Sequence, residues 1–220
     1  MIRALVLDYG NVISVANTGD CADKMESMTG VPAGIFRSVY DKFRFDFDRG
    51  LISGTEMYQI LLRDAGYHDI AKNTQLMTEI AMLDMQSWRA YRQDVTDWAM
   101  AVQRHGYKLG ILSNMPSEFL RSYRHEIPLF AAADYACFSC DIHIIKPERG
   151  IYDDCVRGLG IQAAEAVFFD DRQENVDAGN AFGMRSFLWT GLRQARRDWD
   201  NAVRDGGGQA LDANRVFCYV

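Results

Sequence analysis

Apolar and polar positions change their rhythm along the chain, and each rhythm predicts a different kind of element. Ala4 to Leu7 is an unbroken apolar run that ends in Asp8-Tyr9-Gly10-Asn11. Such a run fits a strand buried on both faces that delivers a polar turn. From about Asp20 to Met85 the apolar positions fall at helical spacing, as in Ile35 and Val39 or Met57, Ile60 and Leu61, with Gly30, Gly50, Gly54 and Gly66 as punctuation. No good strand lies within that block.

Beyond residue 95 strands and helices alternate. The pattern predicts a helix over Val95 to Arg104 and a strand over Tyr107 to Leu112 that runs into Ser113-Asn114. A helix at Ser117 to Tyr123 and a short strand at Tyr135 to Phe138 follow. An apolar run from Ile142 to Ile145 stops at Lys146-Pro147, and a helix spans Gly150 to Gly158. Ala166 to Phe169 forms a strand ending in Asp170-Asp171, then come a helix through Asn180 and a strand at Arg185 to Trp189. This alternation is that of right-handed βαβ units, so the expected fold is α/β, a doubly wound, Rossmann-like parallel sheet. The helical block interrupts the alternation after the first strand and reads as an inserted cap. The expected division is a core of residues 1–13 and 89–220 and a helical cap of residues 14–88. The tail from Arg193 is charged, contains Gly206-Gly207-Gly208 and ends in the apolar Val216 to Val220; the pattern assigns it no role.

Composition narrows the function classes. The 220 residues are 48% hydrophobic and 25% charged, which fits a globular chain with a sizeable core. A formal net charge of -6 and no long Lys/Arg run argue against a nucleic-acid partner. No apolar run of membrane-spanning length or secretory leader pattern is present, so no membrane is expected. Cys21, Cys137, Cys140, Cys155 and Cys218 are odd in number and lack framework spacing. They read as reduced thiols of a cytoplasmic protein.

In an open α/β sheet ligands bind beyond the carboxyl ends of the strands, and four apolar runs end there in polar groups. Asp8, Ser113, Lys146 and Asp170-Asp171 together supply a nucleophile, a hydroxyl donor, a cation and acidic metal ligands. Carboxylates gathered in one crevice repel, so they call for Lys146 or a hard divalent cation such as Mg²⁺.

The order and spacing of these groups resemble the haloacid dehalogenase superfamily. Asp8-Tyr9-Gly10-Asn11-Val12 is similar to its first motif, Ser113-Asn114 to the second, and Lys146-Pro147-Glu148 with Ile151-Tyr152 to the third. Phe169-Asp170-Asp171-Arg172 with Asn175 is similar to the fourth. The Gly10-Asn11 form of the first motif most resembles small sugar-phosphate phosphatases. The resemblance implies Asp8 as nucleophile forming an aspartyl-phosphate, with Lys146 and Ser113 as catalytic partners. It implies Mg²⁺ held by Asp8, the Gly10 carbonyl and Asp171, with Asn175 or Asp170 acting through water. Ser113, Asn114 and Asn11 would bind the phosphoryl group of a small phosphorylated metabolite, a sugar phosphate among the expected substrates. One position departs from the pattern, since Gly10 stands where most such phosphatases carry a second Asp as general acid.

Other features have plainer readings. Asp170-Asp171 can cap the helix that follows, and Cys137-x-x-Cys140 lacks the second half of a zinc site. Phe43 and Phe47 read as core, with Arg44 or Asp46 of the same stretch placed over the crevice as a substrate selector. The apolar positions from Leu76 to Met85 read as core of the cap. Two alternatives remain open: a metal-independent 2-haloacid dehalogenase, and a weakly active binding or regulatory protein, which Gly10 favours.

Overall fold

A computed structural model describes residues 1–15 and 20–207, and for residues 39–41 it describes only the backbone. The side chain of Val39, Cys218 and the run Val216 to Val220 lie outside the described residues.

Five parallel strands make one sheet: β1 (Ala4–Leu7), β2 (Lys108–Ser113), β3 (Tyr135–Phe138), β4 (Ala166–Asp170) and β5 (Arg185–Leu188), in the spatial order β3-β2-β1-β4-β5. β1 sits in the middle, and the chain winds outward from it on both sides. Its carboxyl end is therefore a topological switch point, where crossovers diverge and leave a crevice. The two-residue period of a strand explains the apolar runs. Leu5 and Leu7 point into one core, while Ala4 and Val6 point into a second core against Ile151, Tyr152 and Cys155.

Helices α1 (Asp20–Thr29), α2 (Ala33–Asp48), α3 (Gly54–Asp64), α4 (His68–Ala71) and α5 (Thr74–Ser87) follow β1 as one block. Next come α6 (Gln93–Arg104), α7 (Ser117–Tyr123), α8 (Pro128–Ala132), α9 (Ser139–Ile142), α10 (Arg149–Leu159), α11 (Gln173–Phe182) and α12 (Leu192–Asp205). The block is entered and left through paired segments. Val15 N–H donates to the Ala90 carbonyl at 2.8 Å, Arg92 N–H to the Ile13 carbonyl at 2.8 Å, and Ser14 bridges Tyr91 antiparallel. Helix α12 gives the charged tail its order, because Ala195, Trp199, Ala202 and Val203 share one buried face and Trp199 packs edge-on to Tyr107 at 4.9 Å.

The apolar run Ile142 to Ile145 is not a strand. Ile142 closes α9, and His143 turns the chain with φ 57, so Lys146 reaches the crevice from a loop. That loop also holds the end of α2. His143 Nδ1 lies 2.7 Å from the Arg49 carbonyl, and Arg49 pairs with Glu148. Gly50 has φ 71, and a Cβ there would come within 3.1 Å of Cys140 Cβ, so only glycine suits this approach. The Ser139 hydroxyl donates to the Asp48 carbonyl and accepts the Met115 N–H at 2.8 Å, joining α2 to the ends of β2 and β3.

Ser139 is fully buried, so Ser139→Ala leaves the Met115 N–H and the Asp48 carbonyl without this partner. A stability loss of about 1–3 kcal/mol is expected in denaturant unfolding. A loss below about 0.5 kcal/mol, the level of an ordinary surface change, would show that the bridge is dispensable.

Candidate active site

The site is built at the carboxyl end of β1. Asp8 continues the sheet through its N–H, which donates to the Phe169 carbonyl at 3.0 Å, and the chain then turns over Tyr9–Ile13. Asn11 sits in the left-handed region with φ 55, a conformation asparagine tolerates better than most residues. Its N–H donates to Ser14 Oγ at 2.9 Å and its Nδ2 to Asp171 Oδ2 at 2.8 Å, so the first turn is tied to the end of β4.

Lys146 stands at the centre, 3% exposed. Its Nζ donates to Asp8 Oδ1 at 2.7 Å, Asp170 Oδ2 at 2.6 Å and the Leu112 carbonyl at 2.9 Å. Three donors meet three acceptors, which is what a buried ammonium requires. Burial pulls its proton affinity down, but the Asp170 and Asp8 charges and their hydrogen bonds outweigh this and raise it above the usual lysine range. Lys146 is thus held charged.

Asn114 holds the Lys146 backbone rather than projecting a free amide. Its Oδ1 accepts the Lys146 N–H at 2.7 Å and its Nδ2 donates to the Lys146 carbonyl at 3.1 Å. The expected phosphate donor is therefore engaged in positioning, although it lines the same cavity. Asp170 is equally engaged. Its Oδ1 accepts from Arg172 N–H and from Asn175 Nδ2, both at 2.9 Å, so it caps the start of α11 while Oδ2 serves Lys146.

Asp8, Asp170 and Asp171 each bring an oxygen within 4.8 Å of the others, and no further His/Cys/Asp/Glu cluster of this kind occurs among the described residues. When all are ionised, Lys146 leaves two negative charges uncompensated. Burial, more than the neighbouring Asp170 and Asp171, pushes Asp8 up to about 7 against the pull of Lys146. Burial also raises Asp171, partly offset by its bond from Asn11. Asn175 Oδ1 is buried without a partner while its Nδ2 is used. Three crowded carboxylates beside an orphaned amide oxygen form an all-oxygen donor set, and this set fits a hard divalent cation.

A cavity of about 330 Å³ joins these groups, lined at the strand ends by Asp8, Gly10, Asn11, Ser113, Asn114, Lys146, Asp171 and Asn175. The helical block contributes Arg44, Asp48, Met85 and Trp88. Arg44 reaches the cavity and Asp46 does not; Asp46 is exposed. Arg44 Nε donates to both oxygens of the buried Asp48 at 3.0 Å, and its guanidinium lies 5.4 Å from the Trp88 ring centre. Burial raises Asp48, with Arg44 opposing. The sequence pattern missed Asp48, although its i,i+4 spacing from Arg44 was visible. Met85 is core as expected and also borders the cavity, while Met82, expected in the core, is 66% exposed. Phe47 is core as expected, and Cys137 and Cys140 are buried free thiols.

A family profile of haloacid dehalogenase-like hydrolases matches residues 36–183, more than half of the chain. The chain belongs to the haloacid dehalogenase-like hydrolases. It is 28% identical over 209 residues to a phosphatase of Mycobacterium tuberculosis, covering 93% of each chain. Among solved structures, a member of the haloacid dehalogenase family from Bacteroides thetaiotaomicron, in complex with magnesium and inorganic phosphate, has a TM-score of 0.63 at 16% identity, covering 86% of this chain and 94% of that one. The L-2-haloacid dehalogenase of Xanthobacter autotrophicus, with chloropropionic acid covalently bound, has a TM-score of 0.65 at 16% identity, covering 98% and 87%. Both likenesses show the shared fold, and the hydrolase family is the family of this chain.

The raised Asp8 carboxyl would make the binding of a cation at this site pH-linked. Between its ordinary 3.8 and about 7 the folded chain keeps a proton that the unfolded chain has released. Without a cation, this group makes stability fall as pH rises through that window. A divalent cation must displace that proton, so Mg²⁺ is expected to raise Tm more at about pH 8 than at about pH 5.5. Equal rises at both values in differential scanning calorimetry would remove the link.

Proposed function

We propose that this hydrolase is a Mg²⁺-dependent phosphomonoesterase acting on a small phosphorylated metabolite through an aspartyl-phosphate on Asp8. The observation that carries the reading is Lys146 Nζ clamped between Asp8 and Asp170 beside Asp171 and the orphaned Asn175 oxygen. The similarity to a phosphatase along nearly the whole chain supports it.

In this reading the Asp8 carboxylate attacks phosphorus in line, forming an O–P bond as the ester P–O bond breaks. The leaving alkoxide takes a proton from water, and a second water then cleaves the acyl phosphate to return Asp8 and free phosphate. Lys146 favours the ionised form of Asp8 against its burial and offsets charge on the phosphoryl oxygens. Ser113 donates to those oxygens, and the Tyr9 and Gly10 N–H groups complete a backbone cradle with the Asn11 amide at its edge. Asp8, the Gly10 carbonyl and Asp171 would hold Mg²⁺, with Asn175 and the engaged Asp170 behind them. When bound, the cation supplies Lewis-acid charge neutralisation between carboxylates and phosphoryl group.

Residues 14–88 serve as a cap that covers the crevice, with residues 1–13 and 89–220 as the core. The paired segments at Ile13 to Val15 and Ala90 to Arg92 make a natural stem for it. No helix among the described residues is long and apolar enough to cross a membrane, and the buried free thiols fit a reducing, cytoplasmic compartment. A metal-independent dehalogenase shares the aspartyl-ester chemistry but does not need a metal site beside the nucleophile.

Phosphate release from p-nitrophenyl phosphate is expected with Mg²⁺, lost with a chelator, and reduced by about 10³-fold or more in Asp8→Asn. Chloride release from 2-chloropropionate without metal would select the dehalogenase. Gly10 has φ -61, and a Cβ there would meet Asp8 Oδ2 at 3.6 Å and Trp88 Cζ3 at 3.7 Å, ordinary contacts that admit a side chain. Gly10→Asp is therefore expected to speed alkyl phosphates relative to aryl phosphates by up to about 10²-fold. Unchanged rates on both ester types would refute the role assigned to this position.

A further inference from the structure

We infer that the substrate carries an apolar leaving group, a hydrocarbon or aromatic alcohol rather than a polyhydroxylated sugar. The inference rests on the phosphatase reading and names the substrate class of that site.

Beyond the groups that surround Asp8, the uncharged part of the cavity wall consists of Tyr9, Met85, Trp88, Met115, Pro116 and Phe119. The polar atoms of this wall are already used or turned away. Tyr9 Oη donates to the Trp88 carbonyl at 2.7 Å, and the Met115 N–H is taken by Ser139 Oγ. Trp88 Nε1 is buried with no acceptor among the described residues, whereas the ring carbon Cζ3 is the atom that faces position 10. A sugar would bring several hydroxyls to this wall, and each would leave water without a partner. A hydrocarbon gains by the same transfer.

Three charged side chains, Arg44, Asp48 and Arg172, line the cavity outside the Asp8 cluster, and all three are held in ion pairs. Arg44 and Asp48 neutralise one another at 3.0 Å, and Arg172 pairs with Glu174 at 2.7 Å. The wall therefore offers no net positive charge for a second anionic group, such as the carboxylate or extra phosphate of many metabolites. Gly10 agrees with this chemistry. The flank where a proton donor could project is bounded by the benzo edge of Trp88, so the region beside the departing oxygen is apolar as well. The cavity of about 330 Å³ is at the small end for ligand sites, which limits the leaving group to a compact one.

The test compares esters of similar leaving-group basicity. With Mg²⁺ present, kcat/KM is measured for n-hexyl phosphate and glucose 6-phosphate, both esters of primary alcohols, and for acetyl phosphate, whose small acyl group does not depend on the wall. Hexyl phosphate is expected to exceed glucose 6-phosphate by about tenfold or more, mainly through KM. Met85→Gln, checked for folding by its thermal midpoint, is expected to narrow that ratio severalfold. Glucose 6-phosphate turned over as well as or better than hexyl phosphate, with acetyl phosphate active, would overturn the inference and leave the phosphatase reading standing. No metal-dependent turnover of any of the three would overturn both.

Discussion

Everything at this site depends on one buried ammonium. Lys146 is held away from water by its surroundings and can stay charged there only because Asp8, Asp170 and the Leu112 carbonyl take its three protons. The dependence runs in both directions, since burial raises the Asp8 carboxyl and the adjacent ammonium opposes that rise. The three partners come from the ends of β1, β4 and β2, so the order of the central strands and the charge state of Asp8 are the same constraint. Asn114 and Asp170 are best understood through it. One fixes the Lys146 backbone, and the other divides its oxygens between Lys146 and the start of α11.

A second constraint links the helical block to this centre. The end of α2 is fastened to the ends of β2 and β3 by Ser139 and to the Lys146 loop by Arg49 and His143. Asp48, and with it Arg44, is therefore placed over the cavity by the same loop that carries the buried cation. The selectivity of the wall and the charge balance at Asp8 share a scaffold. Rigid attachment of this kind suits a reaction that rests on positioning and electrostatics.

The fold was legible because its signals are local. Apolar runs at Ala4 to Leu7 and Ala166 to Phe169 have a length and bounding residues that fit buried strands, and the polar residues that close them lie where a parallel sheet gathers its ligands. The run Ile142 to Ile145 carried no element assignment, because short apolar runs do not separate a strand from a helix end and a loop. At the site, the chain's chemistry-bearing residues were legible in type and position, and their division of labour was not. Asn114 carries the same side chain whether it faces a phosphate or clamps a backbone, and only its neighbours decide. The wall residues Met85, Trp88 and Phe119 carry no chemical signature at all, since apolar side chains at helical spacing read as core whichever cavity they border.

The sequence by itself determined the alternation of strands and helices and that Asp8, Ser113 and Asp171 lie at strand ends and Lys146 at the end of an apolar run, because these follow from periodicity and from the residues that terminate each run. The tertiary structure alone decided that Lys146 is shared by two carboxylates, that Asp170 is spent on support, that Asn175 keeps an unpaired oxygen, and that the cavity wall is apolar with its arginines already paired. Those are properties of distances between residues far apart in the chain, down to Lys146 and Asp8 at 2.7 Å, and no local pattern encodes a distance of that kind.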